Sequence, residues 1–365
     1  MKRITIVMAL AAAFAASAAG GAERPRVEVA FVLDSTGSMS GLIEGAKLKI
    51  WAIANSIIAQ KPTPEVRIGL ISYRDRADQF VTRRFDLTDD IDAVFRDLQS
   101  FAADGGGDDP ESVNQALHEA VTDMSWTGDR NVLKIIFLVG DYPPHMDYRD
   151  DVKYPVTCRE AVKRDLIINT VQCGDIEETA RIWKEIARLA EGSYVALGQT
   201  GNMAAIATPF DEEIARTSAE LDTTVVVYGG REKQEEARGK MAKAAEAPAA
   251  VAADRAAYNL ASGGKAIQGT GDLVEDARGG AIDVAWLNSE ELPPLMRKMT
   301  PEQRKAYVAL QREKRESLNG TLAELAKKRA DFIEKERNRL AASGKGDAFD
   351  TKVAELIAAQ AARKR

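Results

Sequence analysis

Between residues 27 and 215 the chain alternates short apolar runs with stretches whose apolar side chains recur at helical spacing. Val27 to Leu33 is apolar except at Glu28 and ends in Asp34, the pattern of a parallel strand buried on both faces. Ile43, Ala46, Ile50, Ala54 and Ile57 then mark one face of a helix. Val66–Ile71 and Gln79–Phe85 read as two more strands, and the short connection between them suits a hairpin. Asp90–Phe101 and Pro110–Met124 predict helices. Val132–Val139 predicts a buried strand that stops at Gly140-Asp141, followed by a short helix at 158–164. Leu166–Val171 reads as a strand, closing at Gln172-Cys173-Gly174. Ile176–Glu191 carries Ile182, Ile186 and Leu189 on one helical face, Ser193–Leu197 is a last short strand, and a helix runs from about Met203 to Leu221. The expectation is an α/β fold: a doubly wound, mostly parallel six-stranded sheet with helices on both faces.

The pattern changes after residue 228. Residues 222–257 read either as a linker or as a charged helix, since 231–257 are rich in Ala, Glu and Lys. Residues 258–299 contain Gly263-Gly264 and Gly279-Gly280, and Leu273, Val274, Ile282, Val284 and Trp286 suggest a small strand-like module. Thr300-Pro301-Glu302-Gln303 is a helix start, with Thr300 and Gln303 forming a capping box and Pro301 in the first turn. Tyr307, Leu310, Leu318, Leu322, Leu325, Phe332 and Leu340 follow, interrupted by Lys314 and Arg329. Residues 300–365 therefore predict a largely helical C-terminal region with one long helix. Coiled-coil pairing into a dimer, docking on the preceding domain and a hairpin are all open readings of that stripe.

The N-terminus reads as a signal peptide over residues 1–22. Lys2 and Arg3 precede an apolar run from Ile4 to Ala16, and Ala16-Ser17-Ala18 offers a cleavage site. The run is shorter than the roughly 20 residues needed to span a bilayer, and no later stretch is apolar enough to do so. The expected mature protein is thus periplasmic or secreted, without a transmembrane segment. Losing Lys2 and Arg3 takes the formal charge from -6 to -8. An acidic chain gains nothing from neutralising phosphates, so nucleic acid is excluded as a partner class.

Candidate chemistry gathers at the ends of the predicted strands. Asp34, Thr36 and Ser38 lie between the first strand and its helix, at the carboxyl end of a parallel strand, where such sheets hold ligands. One carboxylate and two hydroxyls are hard oxygen donors, suited to Mg²⁺ or Ca²⁺, with Mn²⁺ as a third option. Asp141 terminates another buried strand, and Asp108 lies in the loop Gly105-Gly106-Gly107-Asp108-Asp109 before a helix. Asp109 and Glu111 are alternative donors from that same loop. Capping alone would explain Asp34 or Ser38 singly, but not three loops bringing acids to one sheet edge. His145 follows in Pro143-Pro144-His145 and reads as an exposed loop residue, and His118 as a surface or packing residue. No serine or cysteine sits in a recognisable nucleophile setting.

With these residues in order, the stretch from 27 to 215 resembles the von Willebrand factor A family. Asp34, Thr36 and Ser38 match the family's first metal motif, Asp141 its final acidic position, and Gly106-Gly107-Asp108 the place where the family usually has a threonine after glycine. The resemblance implies one such domain over residues 23–221, with a metal-ion-dependent adhesion site. It also implies a protein ligand whose acidic side chain completes the metal shell. Asp108 departs from the pattern, because a carboxylate there binds the cation more tightly and makes it less attractive to an incoming carboxylate.

Cys158 and Cys173 are the only cysteines. In an oxidising compartment they read as a disulfide, since the start of a helix lies beside the end of the strand that follows it in a βαβ layer. The functional expectation is a non-enzymatic, divalent-metal-dependent protein-binding module in the cell envelope or outside the cell. The alternatives are an accessory or regulatory subunit that recruits an enzyme or envelope complex, and a metal-dependent hydrolase, for which no general base beyond the ligands is evident.

Overall fold

A computed structural model describes residues 24–107, 109–200, 206–280, 282–342 and 349–364. The expected signal peptide and Asp108 lie outside the described residues. Six strands form one sheet: β1 (Arg26–Asp34), β2 (Glu65–Tyr73), β3 (Thr82–Thr88), β4 (Leu133–Gly140), β5 (Leu166–Cys173) and β6 (Tyr194–Leu197). Their order is β3-β2-β1-β4-β5-β6. Only the β2–β3 pair is antiparallel, as the short connection predicts. The winding direction reverses at β1, which lies between β2 and β4. The crevice beyond the carboxyl ends of β1 and β4 is therefore a topological switch point, the usual ligand position in open α/β sheets.

Six helices belong to the sheet region: α1 (Ser40–Ile58), α2 (Ile91–Gln99), α3 (Val113–Thr122), α4 (Tyr154–Lys163), α5 (Glu177–Leu189) and α6 (Asp211–Asp222). Alternation along β1 divides the core into two layers. Val27, Val29, Phe31 and Leu33 pack with α1 and α2 on one face. Ala30 and Val32 pack with α3, α4 and α5 on the other. Glu28, the charged exception in β1, is fully buried but satisfied by Arg67 at 2.8 Å and by the Thr127 amide at 2.9 Å.

The same alternation overturns the expected disulfide. Both cysteines are free and buried. Cys158 packs in the layer with α3, α4 and α5, whereas Cys173 packs in the layer with α1. Helix α4 begins at Tyr154, so Cys158 lies in the middle of the helix and not at its start, and the two sulfurs sit in layers on opposite faces of the sheet. Strand parity decides the matter, and a position along the strand does not reveal it.

The C-terminal half is docked on the sheet domain. Residues 231–257 are neither a linker nor one charged helix. They fold as α7 (Arg231–Ala245), packed on α2, and the start of α8 (Ala249–Ala261), packed on α1 and α6, with Pro248 at the boundary. The expected strand-like module is corrected too. Leu273 and Val274 open the short helix α9 (Leu273–Arg278), and Val284–Trp286 is a single 3-10 turn. Asp272 and Asp283 cap these turns by accepting from Val274 N and Ala285 N, which commits both apolar pairs to helical geometry. The bridge between Val227 and Asp272 is the one strand-like pairing of this module among the described residues.

The long helix α10 (Pro301–Ala342) begins with the expected capping box, Thr300 and Gln303 bonding reciprocally at 2.9 and 3.3 Å. Its stripe is used within the chain: Leu322 and Leu325 pack against Ile214, Leu221 and Ala253. Arg329, which breaks the apolar pattern, is buried and bonded to Asp211 at 2.7 Å and Asp254 at 2.6 Å. Helix α11 (Phe349–Lys364) returns to the sheet, where Phe349, Val353 and Ile357 join the α1 layer of the core. No helix of the described residues is long and apolar enough to cross a membrane.

Four buried cation–aspartate pairs fasten this docking, Lys49–Asp350, Lys240–Asp90, Arg255–Asp92 and Arg329–Asp211, and a fifth, Arg315–Asp272, joins α10 to the cap of α9 within the C-terminal half, at 2.5 to 3.2 Å. Arg255 also reaches Asp222 at 3.2 Å and the Ala266 carbonyl at 2.7 Å. Arg255→Ala leaves the buried Asp92 and the half-buried Asp222 without this counter-charge and is expected to cost about 3–5 kcal/mol, read from urea unfolding midpoints. For the cysteines, alkylation in denaturant without reductant is expected to label both thiols. A single unlabelled, disulfide-linked mass would overturn the two-face assignment.

Candidate metal centre at the carboxyl edge of the sheet

The centre is built where β1 stops. Ser35 extends the β1–β2 ladder by one bond, its amide donating to Tyr73 O at 2.9 Å, and its hydroxyl also donates to that carbonyl at 3.1 Å. The chain then turns sharply. Thr36 donates both its amide and its hydroxyl to Asp34 Oδ1, at 2.9 and 2.6 Å, a local side-chain turn typical of aspartate. The Ser38 hydroxyl lies 3.3 Å from that of Thr36, and a 3-10 turn at Gly37–Met39 leads into α1.

The glycine loop is knitted to this turn. Gly37 N donates to Gly105 O, and Asp104 N donates to Ser35 O. Gly105 and Gly106 both have φ of +81°, a conformation that favours glycine. A Cβ on Gly105 would collide with the Asp78 carboxylate at 2.1 Å, and one on Gly106 would lie 3.1 Å from Thr36 Cβ and 3.5 Å from Glu111 Oε1. Glu111 is held in place by the loop after β4: its amide donates to Pro143 O, and His145 N donates to its carbonyl, both at 3.0 Å.

Asp141 supplies the third side. Thr179 holds its carbonyl at 2.8 Å, and Gln199 Nε2 donates to its Oδ2 at 2.7 Å. The same Gln199 nitrogen lies 3.2 Å from Ser38 O, so this one carboxamide ties the first and last acid loops together. A Cβ on Gly140 would lie 2.4 Å from the Tyr73 hydroxyl and 3.2 Å from Asp34 Oδ2, so only glycine fits beneath the Asp34 carboxylate.

Three carboxylate oxygens in this crevice are buried and without a hydrogen-bond partner: Asp34 Oδ2, Glu111 Oε2 and Asp141 Oδ1. The electrostatics follow. Burial, and then the charge of Asp141, raise Asp34 to about 7. Burial, and then Asp34, Asp75, Asp78 and Asp141, raise Glu111 to about 9. Burial followed by Asp34, Glu111 and Asp141 pushes Tyr73 up, and burial followed by Asp141 and Asp34 does the same to Cys173. Orphaned carboxylate oxygens beside two hydroxyls are a donor set that fits a hard divalent cation. Among the described residues no three His, Cys, Asp or Glu side chains are grouped so as to hold an ion by themselves.

Asp34, Thr36, Ser38 and Asp141 are thus linked through direct bonds and through Gln199. Asp108 lies outside the described residues, and Asp109 is exposed. Of the alternatives it is Glu111 that enters the crevice. His145 is buried, not exposed as expected: its Nδ1 lies 2.8 Å from Asp147, its Nε2 lies 3.7 Å from Asp75, and its ring stacks on Tyr148. It buttresses the Asp75 side of the crevice, where Ser112 and Tyr148 donate to Asp75 at 2.7 and 2.6 Å. Gln199 gave no sequence signal, because its partners lie 58 and 161 positions away.

Residues 28–194 match the family described as von Willebrand factor A domain. A search of curated proteins finds no match. Among solved structures, the SpRpn10 VWA domain is similar at 14% identity, over 49% of this chain and 95% of that one, with a TM-score of 0.37. Proximal thread matrix protein 1 from the mussel byssus is similar at 13% identity, over 48% of this chain and 42% of that one, with a TM-score of 0.35.

Metal-free stability is expected to depend on pH in a set direction. Asp34 and Glu111 are raised above their ordinary values of 3.8 and 4.5, so the native state binds more protons than the unfolded state between those limits. Their contribution is complete below about pH 4 and is lost as pH rises through about 7 and then 9. In EDTA the melting temperature is expected to fall from pH 5 to pH 9, and Asp34→Asn is expected to flatten the earlier part of that fall.

Proposed function

From the match of residues 28–194 to the von Willebrand factor A domain model and the geometry of the acid crevice, we propose that this protein is a divalent-cation-dependent, non-enzymatic protein-binding module. Asp34, Thr36, Ser38 and Asp141 would hold Mg²⁺ or Ca²⁺, with Mn²⁺ as a substitute. Glu111 would serve as the acid of the glycine loop. The protein partner contributes a donor to the same ion. The leader-like residues 1–22 would place this module in the periplasm or outside the cell.

The carrying observation is the set of three buried carboxylate oxygens that meet no donor. Unpaired buried charge is costly, and a divalent cation would answer it at one stroke. The position supports the reading as well, since the acids lie over the carboxyl ends of β1 and β4 at the switch point.

The narrower reading, an accessory subunit that recruits an enzyme or envelope complex, draws on side chains outside the crevice. Trp286, Leu295 and Leu310 are large apolar side chains left exposed on the C-terminal half. A protein that used both would join two partners.

Calorimetry on the full chain tests the metal. Wild type is expected to bind Mg²⁺, Ca²⁺ or Mn²⁺, and Asp34→Ala to bind none of them. At a free metal concentration of 100 times Kd the ion is expected to add about 2.7 kcal/mol of stability. Unchanged affinity in Asp34→Ala would sink the site. A pulldown from cell-envelope extract, compared with and without EDTA and with Asp34→Ala, is expected to retain its partner only when the metal and Asp34 are both present.

A further inference from the structure

Resting on the metal reading above, we propose that Gln199 is a positioning residue that limits Asp141 to one oxygen, Oδ1, toward the ion, and thereby tilts the centre from Ca²⁺ toward Mg²⁺. Asp141 is anchored at its main chain, where Thr179 Oγ1 donates to the carbonyl at 2.8 Å. That bond leaves the side chain free to turn between its rotamers. Among the described residues, Gln199 is the one donor to the carboxylate itself, with Nε2 at 2.7 Å from Oδ2. With Oδ2 taken, Oδ1 stays buried and without a partner.

Asp34 reaches the same state by a local route. Thr36 takes its Oδ1 twice, and Oδ2 stays open. The two acids are close enough for their charges to act on one another. Asp34 is thus constrained within its own turn, whereas Asp141 borrows its constraint from a loop 58 positions downstream.

The carboxamide is seated in this orientation from both ends. Its nitrogen carries two N–H donors, and Ser38 O at 3.2 Å is the acceptor beside Asp141 Oδ2. Both acceptors call for the nitrogen at this end, which assigns the amide direction. The oxygen end lies over Gly174, where φ is +80° and a Cβ would fall 2.5 Å from Gln199 Oε1. The next residue packs just as tightly on the start of α1: a Cβ on Gly41 would fall 2.9 Å from Thr200 Cγ2. Glycine at both positions lets the loop after β6 close onto the ends of β4 and β5 and the start of α1. Gln199 itself is exposed, so it is not there to fill the core.

Coordination geometry gives the consequence. Mg²⁺ demands a compact, near-octahedral shell, whereas Ca²⁺ takes about six to eight oxygens and accepts both oxygens of one carboxylate. An Asp141 whose Oδ2 is held back cannot chelate in that two-oxygen way. Without Gln199, a larger ion gains access to Oδ2, while a smaller one only loses a fixed ligand.

Calorimetry with Mg²⁺ and with Ca²⁺ on the full chain tests this, with melting in EDTA as the control. Gln199→Met keeps the length of the side chain and loses both donors. It is expected to bind Mg²⁺ about 10- to 100-fold more weakly, to lose less affinity for Ca²⁺, and to melt in EDTA as wild type does. Gly174→Ala, which drives Gln199 Oε1 from its seat, is expected to weaken Mg²⁺ binding in wild type and to add no further loss in Gln199→Met, a coupling that backbone strain alone would not produce. Unchanged Mg²⁺ affinity in Gln199→Met overturns the inference, as does an equal loss for the two cations. Wild type that binds neither ion rejects the metal reading itself, and this inference with it.

Discussion

The Asp34 carboxylate is the constraint to which its neighbours conform. It stands at the end of the central strand, fully buried, with one oxygen claimed by Thr36 and the other unclaimed. That single placement requires glycine at position 140, since any side chain there would strike the Tyr73 hydroxyl and crowd Asp34 Oδ2. It requires the turn at Ser35 and Thr36, which in turn is clasped by Gly105 and Asp104. It also raises the charging cost of Glu111, Tyr73 and Cys173. The sheet topology supplies the crevice, because β1 is the strand at which the winding reverses, so the loops that follow β1 and β4 open toward the same space.

The C-terminal half shapes this domain from below. Helices α8 and α11 contribute Val251, Tyr258, Phe349, Val353 and Ile357 to the core layer that also holds α1. The start of α1 carries Ser40, directly after the 3-10 turn at Gly37–Met39. Helix α1 is thus fixed at one end by the acid loops and along its length by segments far away in sequence, including a Lys49–Asp350 pair across 301 positions. Buried polar pairs of this kind set a unique arrangement more than they add stability.

Much of the sheet domain was legible because parallel strands buried on both faces write themselves as near-continuous apolar runs, as at Val27–Leu33, broken only by Glu28, and Val132–Val139, broken only by Lys134. Asp34 and Asp141 were legible because each directly follows such a run. What depended on the partner element was hidden. Parity across β5 puts Cys173 on the opposite face from Cys158, and no spacing rule in one dimension reports that. Glu111 could not be separated from its neighbours because a loop's direction is set by tertiary bonds, here to Pro143 and His145. Arg329 looked like a break in a stripe because its acids, Asp211 and Asp254, come from other helices. Leu273 and Val284 misled because their aspartate caps, one residue upstream in each case, outweighed the apolar pattern.

Comparison of the buried acids with one another separates scaffold from site. Asp90, Asp92, Asp211, Asp272 and Asp350 are buried, and each has a lysine or arginine within hydrogen-bonding distance. Among the described residues no lysine or arginine is paired with Asp34, Glu111, Asp141 or Asp75, which are equally buried; Ser112 and Tyr148 donate to the two oxygens of Asp75, whereas each of the other three keeps an oxygen with no donor. A chain with 50 lysines and arginines does not lack cations to place there. An acid that only holds the fold together is better off paired, because an unpaired buried charge works against the fold. The three exceptions all face one crevice, so their cost is concentrated and not scattered. That is the distribution expected when the missing counter-charge comes from outside the polypeptide, and it depends on no motif. It also explains why Glu111 belongs with the other two: burial without a counter-charge groups it with Asp34 and Asp141, although its place in the sequence does not.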